Sequence, residues 1–533
     1  EPVLNFGLGN AKMIDSLRVI WPTGDHQLLF NVKANQKLHL YQRNATDSYA
    51  YKIKIKTETI FQDVSEISQI DYKHQENTFI EYNREPFIPH FLSMEGPAFD
   101  VADVNKDGIA DLYLGGGKHQ PGAIYLQNDQ GDFKTVVDSV FFQDSHGEDV
   151  DAAFFNANND EFPDLYVAKG GNEFFAKMEP LKDCLYFGVG EGKFVKSQSA
   201  LPDIYANSAC VKPVDIENDG DLDLFIGTRS VPREYGVIPK SFILINDGTG
   251  HFTDQTSTYA PALSETGMVT DALWLDLNKD SLKDLIVVGE WMPIRIFYNS
   301  VEVLTEVTDQ YGLENTTGWW NTLVASDFNN DGHSDLVIGN LGLNSFLKTS
   351  ITRPVQLYID DFSGNNKLEQ ILTYYNGSKA YPLASRDLII ENIPFLQKKY
   401  PTYADFAGES IEDIFTKGQL KSATLRQVAN FASVVLINNG NETFTKSILP
   451  IEAQFSPIYS LLIDDINNDG YQDLITGGNF SGVPPDLGRY DASFGEIFLG
   501  DGQGSFASLN FQTSGFVVNG EIRQMKKIKN PNN

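Results

Sequence analysis

Apolar residues along this chain cluster in short runs, such as Ala98–Ala102, Leu112–Gly115, Leu336–Gly339 and Leu461–Ile463. Runs of this length, rich in Leu, Val, Ile and aromatics and bounded by Gly, Asn or Asp, predict β-strands rather than helices. Several close on a tight polar turn followed by an aromatic. Examples run from Leu126 through Gly131 to Phe133, from Leu244 through Gly248 and Gly250 to Phe252, and from Leu436 through Gly440 to Phe444. Asn or Asp next to Gly between β-rich runs is a strong hairpin signal. Ahead of these turns, two apolar runs flank an acidic loop. The unit therefore reads strand A, acidic loop, strand B, loop, strand C, hairpin, strand D. Its recurrence at steps of mostly 51 to 61 residues predicts an all-β chain folded as a β-propeller.

The acidic loop follows the pattern Asp-x-Asn-x-Asp-Gly-x-x-Asp, with oxygen side chains at its first, third, fifth and ninth positions. The first copy holds Asp103, Asn105, Asp107 and Asp111, and the second Asn156, Asn158, Asp160 and Asp164. The third holds Asp215, Glu217, Asp219 and Asp223, and the fourth Asp276, Asn278, Asp280 and Asp284. The fifth holds Asp327, Asn329, Asp331 and Asp335, and the sixth Asp361, Ser363, Asn365 and Glu369. The seventh holds Asp465, Asn467, Asp469 and Asp473. Oxygen-only donors from a short hinged loop suit Ca²⁺, with Gly at the sixth position turning the chain back. The competing reading is an Asx-turn that is merely acidic, and it weighs most for the second and sixth copies. Glu161 and Ser281 stand where Gly is expected. Filled or not, such loops are expected to staple blades rather than act on a substrate.

Loop spacing breaks once. A 34-residue step after Asp327 is too short for four strands, so the fifth blade is expected to be abbreviated or fused with the sixth. The 104-residue step that follows holds an insertion. Within 385–415, Ser385, Pro394, Pro401 and Ser410 each open a stretch with a helix-start signal. Short helices packed on the propeller's side are predicted there. Residues 1–50 form a small β unit, with a hairpin about Pro22–Gly24, and residues 51–533 the propeller. Phe61–Ser65 resembles a D strand and Gly520–Met525 an A strand with no acidic loop after it. Together they imply ring closure through an incomplete last blade. Blade number is seven or eight, with seven favoured.

The acidic loop with its trailing Asp-Leu resembles that of the FG-GAP/VCBS repeat family. Phe6–Gly9, Ile14–Gly24 and Asn31–Asn35 resemble the ASPIC/UnbV domain, which accompanies such repeats in the cartilage acidic protein family and its bacterial relatives. Gly289–Pro293, Gly318–Trp320 and Gly339–Asn344 carry further likeness to these relatives. The resemblance implies a Ca²⁺-binding propeller that is exported: extracellular, cell-surface or periplasmic. It implies no shared reaction.

Charge agrees with that picture. There are 41 basic and 72 acidic residues, a net of −31, and 20 of the acidic ones occupy loop ligand positions. Seven bound Ca²⁺ would bring the net to about −17. Nucleic acid is an improbable partner for such a surface. Two cysteines exclude a disulfide scaffold, and two buried thiols are a better reading of Cys184 and Cys210 than a bond. No apolar run reaches the length of a membrane span. Paired-histidine metal spacing, a nucleophile elbow and a phosphate-cradling loop are all missing.

The leading functional reading is a non-enzymatic binding or adhesion module for glycan or protein. A polysaccharide lyase or glycoside hydrolase on a propeller scaffold is the alternative, and a structural role in a larger cell-surface assembly the third. In antiparallel blades the A–B loops share one face with the C–D hairpins, leaving the B–C and D–A loops on the other. That second face gathers the distinctive residues Arg229, Trp291, Asn340, Asn344, Asn479, Arg489 and Asp491, with Glu95, Glu148, Trp319 and Trp320 on the D–A approaches. They are the candidate ligand residues, against the plainer reading that they only lace neighbouring blades. The tryptophans in particular read as sugar-stacking platforms or as core.

Overall fold

A computed structural model describes residues 4–49, 59–136 and 139–531. The chain divides into two compact units, Glu1–Glu58 and Thr59–Asn533. The first is a three-stranded antiparallel sheet of Met13–Ile20, Asp25–Lys33 and Asp47–Ser48, with the turn at Pro22–Gly24 as expected. The segment 50–58, read as the lead-in to the ring, lies outside the described residues.

The second unit is a β-propeller. Among the described residues it has six blades, each an antiparallel sheet of four strands in the order A to D, blade 4 with Gly318–Trp319 added to its strand B. Blade 1 runs from Phe99 to Val136, blade 2 from Glu148 to Lys196, blade 3 from Asn207 to Asp254, blade 4 from Met268 to Glu306, blade 5 from Thr322 to Ile448 and blade 6 from Ile458 to Leu509. In each, strand B begins on the ninth residue of the acidic loop. Strand B is buried along its whole length in blades 2 to 6, as in Asp223–Ser230 and Asp284–Met292. That explains why it reads as a continuous apolar run: with a blade packed on each face, neither side of the strand meets water. Discrete apolar clusters fill the spaces between consecutive blades. Tyr113 and Tyr186 meet between blades 1 and 2, Phe225 and Val287 between 3 and 4, and Ile338 and Val288 between 4 and 5.

Two expectations need correction. The short step after Asp327 does not shorten a blade. Blade 5 is complete, but its strands B (Asp335–Gly339) and C (Val434–Asn438) are separated by an inserted module. That module is a sheet of Lys379–Pro382, Glu369–Asn376, Val355–Asp360 and Thr424–Val428, carrying the sixth acidic loop at one of its turns. Helices occur where capping signals placed them, at Arg386–Asn392, Tyr403–Phe406 and Ile411–Ile414, with Ser385, Thr402 and Ser410 as N-caps. Their apolar residues, including Ile389, Leu396 and Ile414, pack on Phe362 and Ile371 of the inserted sheet, not on a blade flank.

The second correction concerns closure. Neither Phe61–Ser65 nor Gly520–Met525 is a strand. Residues 520–528 nonetheless hold the seventh position, between blades 6 and 1. The Ile522 N–H donates to the Gly478 carbonyl at 2.8 Å, Lys526 pairs with Asp100 at 2.9 Å and Lys527 with Asp464 at 2.6 Å. Phe61 joins from the other end of the unit, its N–H on the Ser514 carbonyl at 2.8 Å.

Candidate functional site

Strand A lines the centre of the ring, and a backbone irregularity there shapes the interior. In blades 2, 3, 4 and 6 its ladder with strand B slips by one residue, at Val150, Ala209, Thr270 and Tyr459. A bulge re-aims the side chains around it. All four slipped residues line a central cavity of about 390 Å³. Charged residues of strand A line it too: Asp151, Lys212 and Asp271, with Arg523, Gln524 and Lys526 from the seventh position.

These charges are already engaged. Asp151 accepts the Val211 N–H at 3.0 Å and the Gln524 amide at 3.0 Å. Asp271 accepts the Thr322 hydroxyl at 2.9 Å and the Leu323 N–H at 3.2 Å, and pairs with Lys212 at 2.8 Å. Each carboxylate thus caps a main-chain N–H on strand A of the next blade. Burial raises the pKa of Asp151, with Lys212 working against it. Burial also opposes the charge on Lys212, but Asp271 and Asp151 more than offset this and raise its pKa.

One end of the cavity is closed. Arg229 donates through Nε to Glu95 and through Nη2 to Glu290, both at 2.7 Å. Burial raises the Glu290 pKa, yet Arg229 and His90 hold it well below the carboxylate range. Tyr235 donates to Glu290 at 2.9 Å and accepts from the Trp291 indole at 2.8 Å. Behind this layer, Trp319 packs edge-on against Trp291 at 5.3 Å within an apolar cluster that includes the inserted strand Val355–Asp360. The inserted module and the segment holding Ile88 and Leu92 therefore pack over this end of the ring.

The candidate ligand residues consequently fall into three places. Arg229, Trp291 and Trp319 meet in the buried layer. Trp320, Asn340 and Asn479 are buried and lace elements together. The Trp320 indole donates to the Thr316 carbonyl at 3.0 Å, the Asn340 amide to Asn430 O at 3.1 Å, and the Asn479 amide to Gly520 O at 2.8 Å. Asn344, Arg489 and Asp491 are exposed, with the Asn344 amide on the Phe455 carbonyl at 3.1 Å. The channel residues escaped the reading of the sequence. Their signal was a charge in the middle of strand A, followed by apolar residues, clearest at Asp271 in Met268–Leu275 and masked at Asp151 by its neighbours Glu148 and Asp149.

The acidic loops are near-copies in three dimensions. In the first, Asp103 accepts the N–H groups of Asp107 at 3.1 Å and Gly108 at 2.8 Å, and Asn105 accepts the Asp107 N–H at 2.9 Å. The fourth residue of each loop takes left-handed backbone, and so does the sixth in every loop but the second, where Glu161 stands. Ser281, at φ +76°, bears at the sixth position the strain that Gly escapes in the first, third, fifth and seventh loops. The ninth residue differs from the rest by being buried. Asp111 accepts from Val104 N and Gln127 N, Asp164 from Ala157 N and Gly188 N, and Asp223 from Ile216 N and Asn246 N. Asp284, Asp335 and Asp473 repeat the arrangement. This carboxylate pins the start of the loop to the end of strand C.

The donor chemistry of the first, third and fifth residues fits a hard cation: exposed oxygens on one turn. Burial raises Asp111 and Asp284 to about 6 and Asp223 to about 7, and acidic loop neighbours add to each rise. A cation would relieve that repulsion. Among the described residues no three His, Cys, Asp or Glu side chains stand together as a metal site. Asn side chains, carbonyls and water would have to complete the shell. Cys184 and Cys210 are both free and buried.

Comparison with known proteins agrees with the repeat architecture. The family described as ASPIC and UnbV matches residues 1–47. The family described as FG-GAP-like repeat matches residues 156–226 and 276–338. No curated protein matches the chain. Among solved structures, an Agrocybe aegerita lectin reported to recognise non-reducing terminal N-acetylglucosamine shares 14% identity over 80% of this chain and 82% of its own, at a TM-score of 0.41. The biofilm matrix protein Bap1 of V. cholerae shares 9% over 82% of each chain, at 0.34. A rhamnogalacturonan lyase of Bacillus licheniformis shares 11% over 72% of this chain and 59% of its own, at 0.30. No helix among the described residues is long and apolar enough to cross a membrane.

Proposed function

For an FG-GAP repeat protein with an N-terminal ASPIC and UnbV domain, we propose an exported, Ca²⁺-stabilised, non-enzymatic module that binds glycan or protein. The observation that supports it is the central cavity of about 390 Å³, lined by polar and charged side chains of strand A and of the seventh position. A hydrolase would need two carboxylates facing a substrate, and a lyase a base beside a charge-neutralising group. Asp151 and Asp271 are instead bound to main-chain amides of neighbouring strands, which suits recognition on a rigid wall. Ca²⁺ at the first, third and fifth loop residues would brace the strand A ends. It supplies charge neutralisation there and no chemistry.

The test is an array of glycans and extracellular proteins probed with wild type and Lys212→Ala, in Ca²⁺ and in EDTA. The reading expects a defined set of ligands in Ca²⁺, lost in the variant and weakened in EDTA. Binding that the variant leaves intact would move the site out of the channel.

A further inference from the structure

A second cavity, of about 260 Å³, lies where the inserted sheet meets blade 4. Its walls come from the Gly267–Met268 entry to strand A, the Trp291–Pro293 bend, Arg295, and Arg426 of the inserted strand Thr424–Val428. The two guanidinium groups differ. Arg295 is fully engaged, with Nε and Nη2 on Glu306 at 2.8 and 2.9 Å and Nη1 on the Glu265 carbonyl at 2.7 Å. Arg426 uses only Nε, on the Gly236 carbonyl at 3.1 Å, and makes no ion pair among the described residues.

The wall beside Arg426 is rigid. Trp291 sits at φ +59°, a left-handed backbone that is strained for a bulky residue and is held by its surroundings. Its indole is fixed by Tyr235 at 2.8 Å. Burial lowers the pKa of Arg426. On the rim, Glu265, Asp309 and Glu314 are exposed.

We propose that this cavity binds a sugar unit bearing a single carboxylate, a uronic acid. Both Nη groups of Arg426 match a carboxylate in the planar fork geometry that guanidinium favours. The rim carboxylates accept hydrogen bonds from ring hydroxyls and repel phosphate or sulfate dianions. The volume is below the usual range for drug-sized ligands, about 300–1,000 Å³, and suits one sugar ring. The proposal rests on the binding-module reading for its ligand class, and on the inserted module rather than the channel for its place.

Calorimetry of the full chain with glucuronate, a glucuronate-terminated disaccharide, glucose and acetate tests it. Saturable binding of glucuronate is expected, at least tenfold tighter than glucose or acetate. Tighter binding of the disaccharide would identify a chain end as the natural source, and equal binding a free sugar acid; both support the site. Arg426→Gln is expected to weaken glucuronate binding at least tenfold at an unchanged melting temperature, while Lys212→Ala leaves it intact. Absence of saturable glucuronate binding at millimolar concentration overturns the proposal, as does affinity unmoved by Arg426→Gln. If Lys212→Ala abolishes binding instead, the uronate sits in the channel; this proposal then fails while the binding-module reading stands.

Discussion

At the scale of single residues, the acidic loop separates into two kinds of carboxylate that the sequence writes with the same letter. Asp219 is exposed, while Asp223 is buried with the N–H groups of Ile216 and Asn246 on its two oxygens at 3.0 and 2.8 Å. Removing it strands two buried donors, at roughly 1–3 kcal/mol each. Asp223→Ala is therefore expected to lower the melting temperature strongly even in EDTA, and Asp219→Ala chiefly in Ca²⁺. Equal effects in EDTA would contradict the distinction. The repeat made every loop legible from sequence, but not this split, because both residues fit one ligand pattern. Glu81 carries a pH prediction. Burial raises its pKa from 4.5 to about 7, against hydrogen bonds from Leu92 N and Asn172. The folded state thus holds this proton more tightly than the unfolded chain. Its contribution, on the order of 3 kcal/mol, is complete below about 4.5 and lost as pH rises through about 7. Melting temperatures at pH 5 and pH 8 should diverge less in Glu81→Gln than in wild type. An unchanged difference would assign the pH dependence to other groups.

Among the elements, strands, hairpins and helix caps were legible because each is written locally. Gly440 after Asn438–Asn439, and Ser410 ahead of Ile411, carry their own instructions. What sequence spacing concealed was connectivity. Strands B and C of blade 5 are separated by 94 intervening residues, between Gly339 and Val434, and no local signal says that Val434 returns to pair with Ile338. The sixth loop kept its acidic pattern in a sheet outside the ring, so a count of loops miscounts the blades. The helices of 385–415, expected on the propeller's side, instead cover Phe362 and Ile371. Replacing them with a Gly/Ser linker should leave the blades folded while the inserted sheet binds a hydrophobic dye and is cleaved by protease within 344–430. A dye-silent, protease-resistant product would show that the sheet stands without them.

For the whole molecule, the ring is held by apolar contacts between blades, and at the seventh position the contacts of Ile522 and Ile528 are joined by ion pairs and a main-chain bond in bridging blades 6 and 1. The sequence marked residues 520–525 as an A-like strand; they line the channel through Arg523, Gln524 and Met525 but form no ladder among the described residues. Ca²⁺ bound to the native state alone would add about 2.7 kcal/mol per site at a hundredfold excess over Kd. EDTA should accordingly lower the melting temperature, Ca²⁺ restore it, and Mg²⁺ restore little because of its tight octahedral preference. A melting curve indifferent to EDTA would refute Ca²⁺ stapling. The claim that this ring binds without turning over its ligand is tested most directly by incubating the Ca²⁺-loaded protein with acidic and neutral polysaccharides, following retained polymer and released product together. The account predicts retention of a subset with no new reducing ends and no unsaturated uronates. Product accumulating with time, at any polysaccharide, would contradict it.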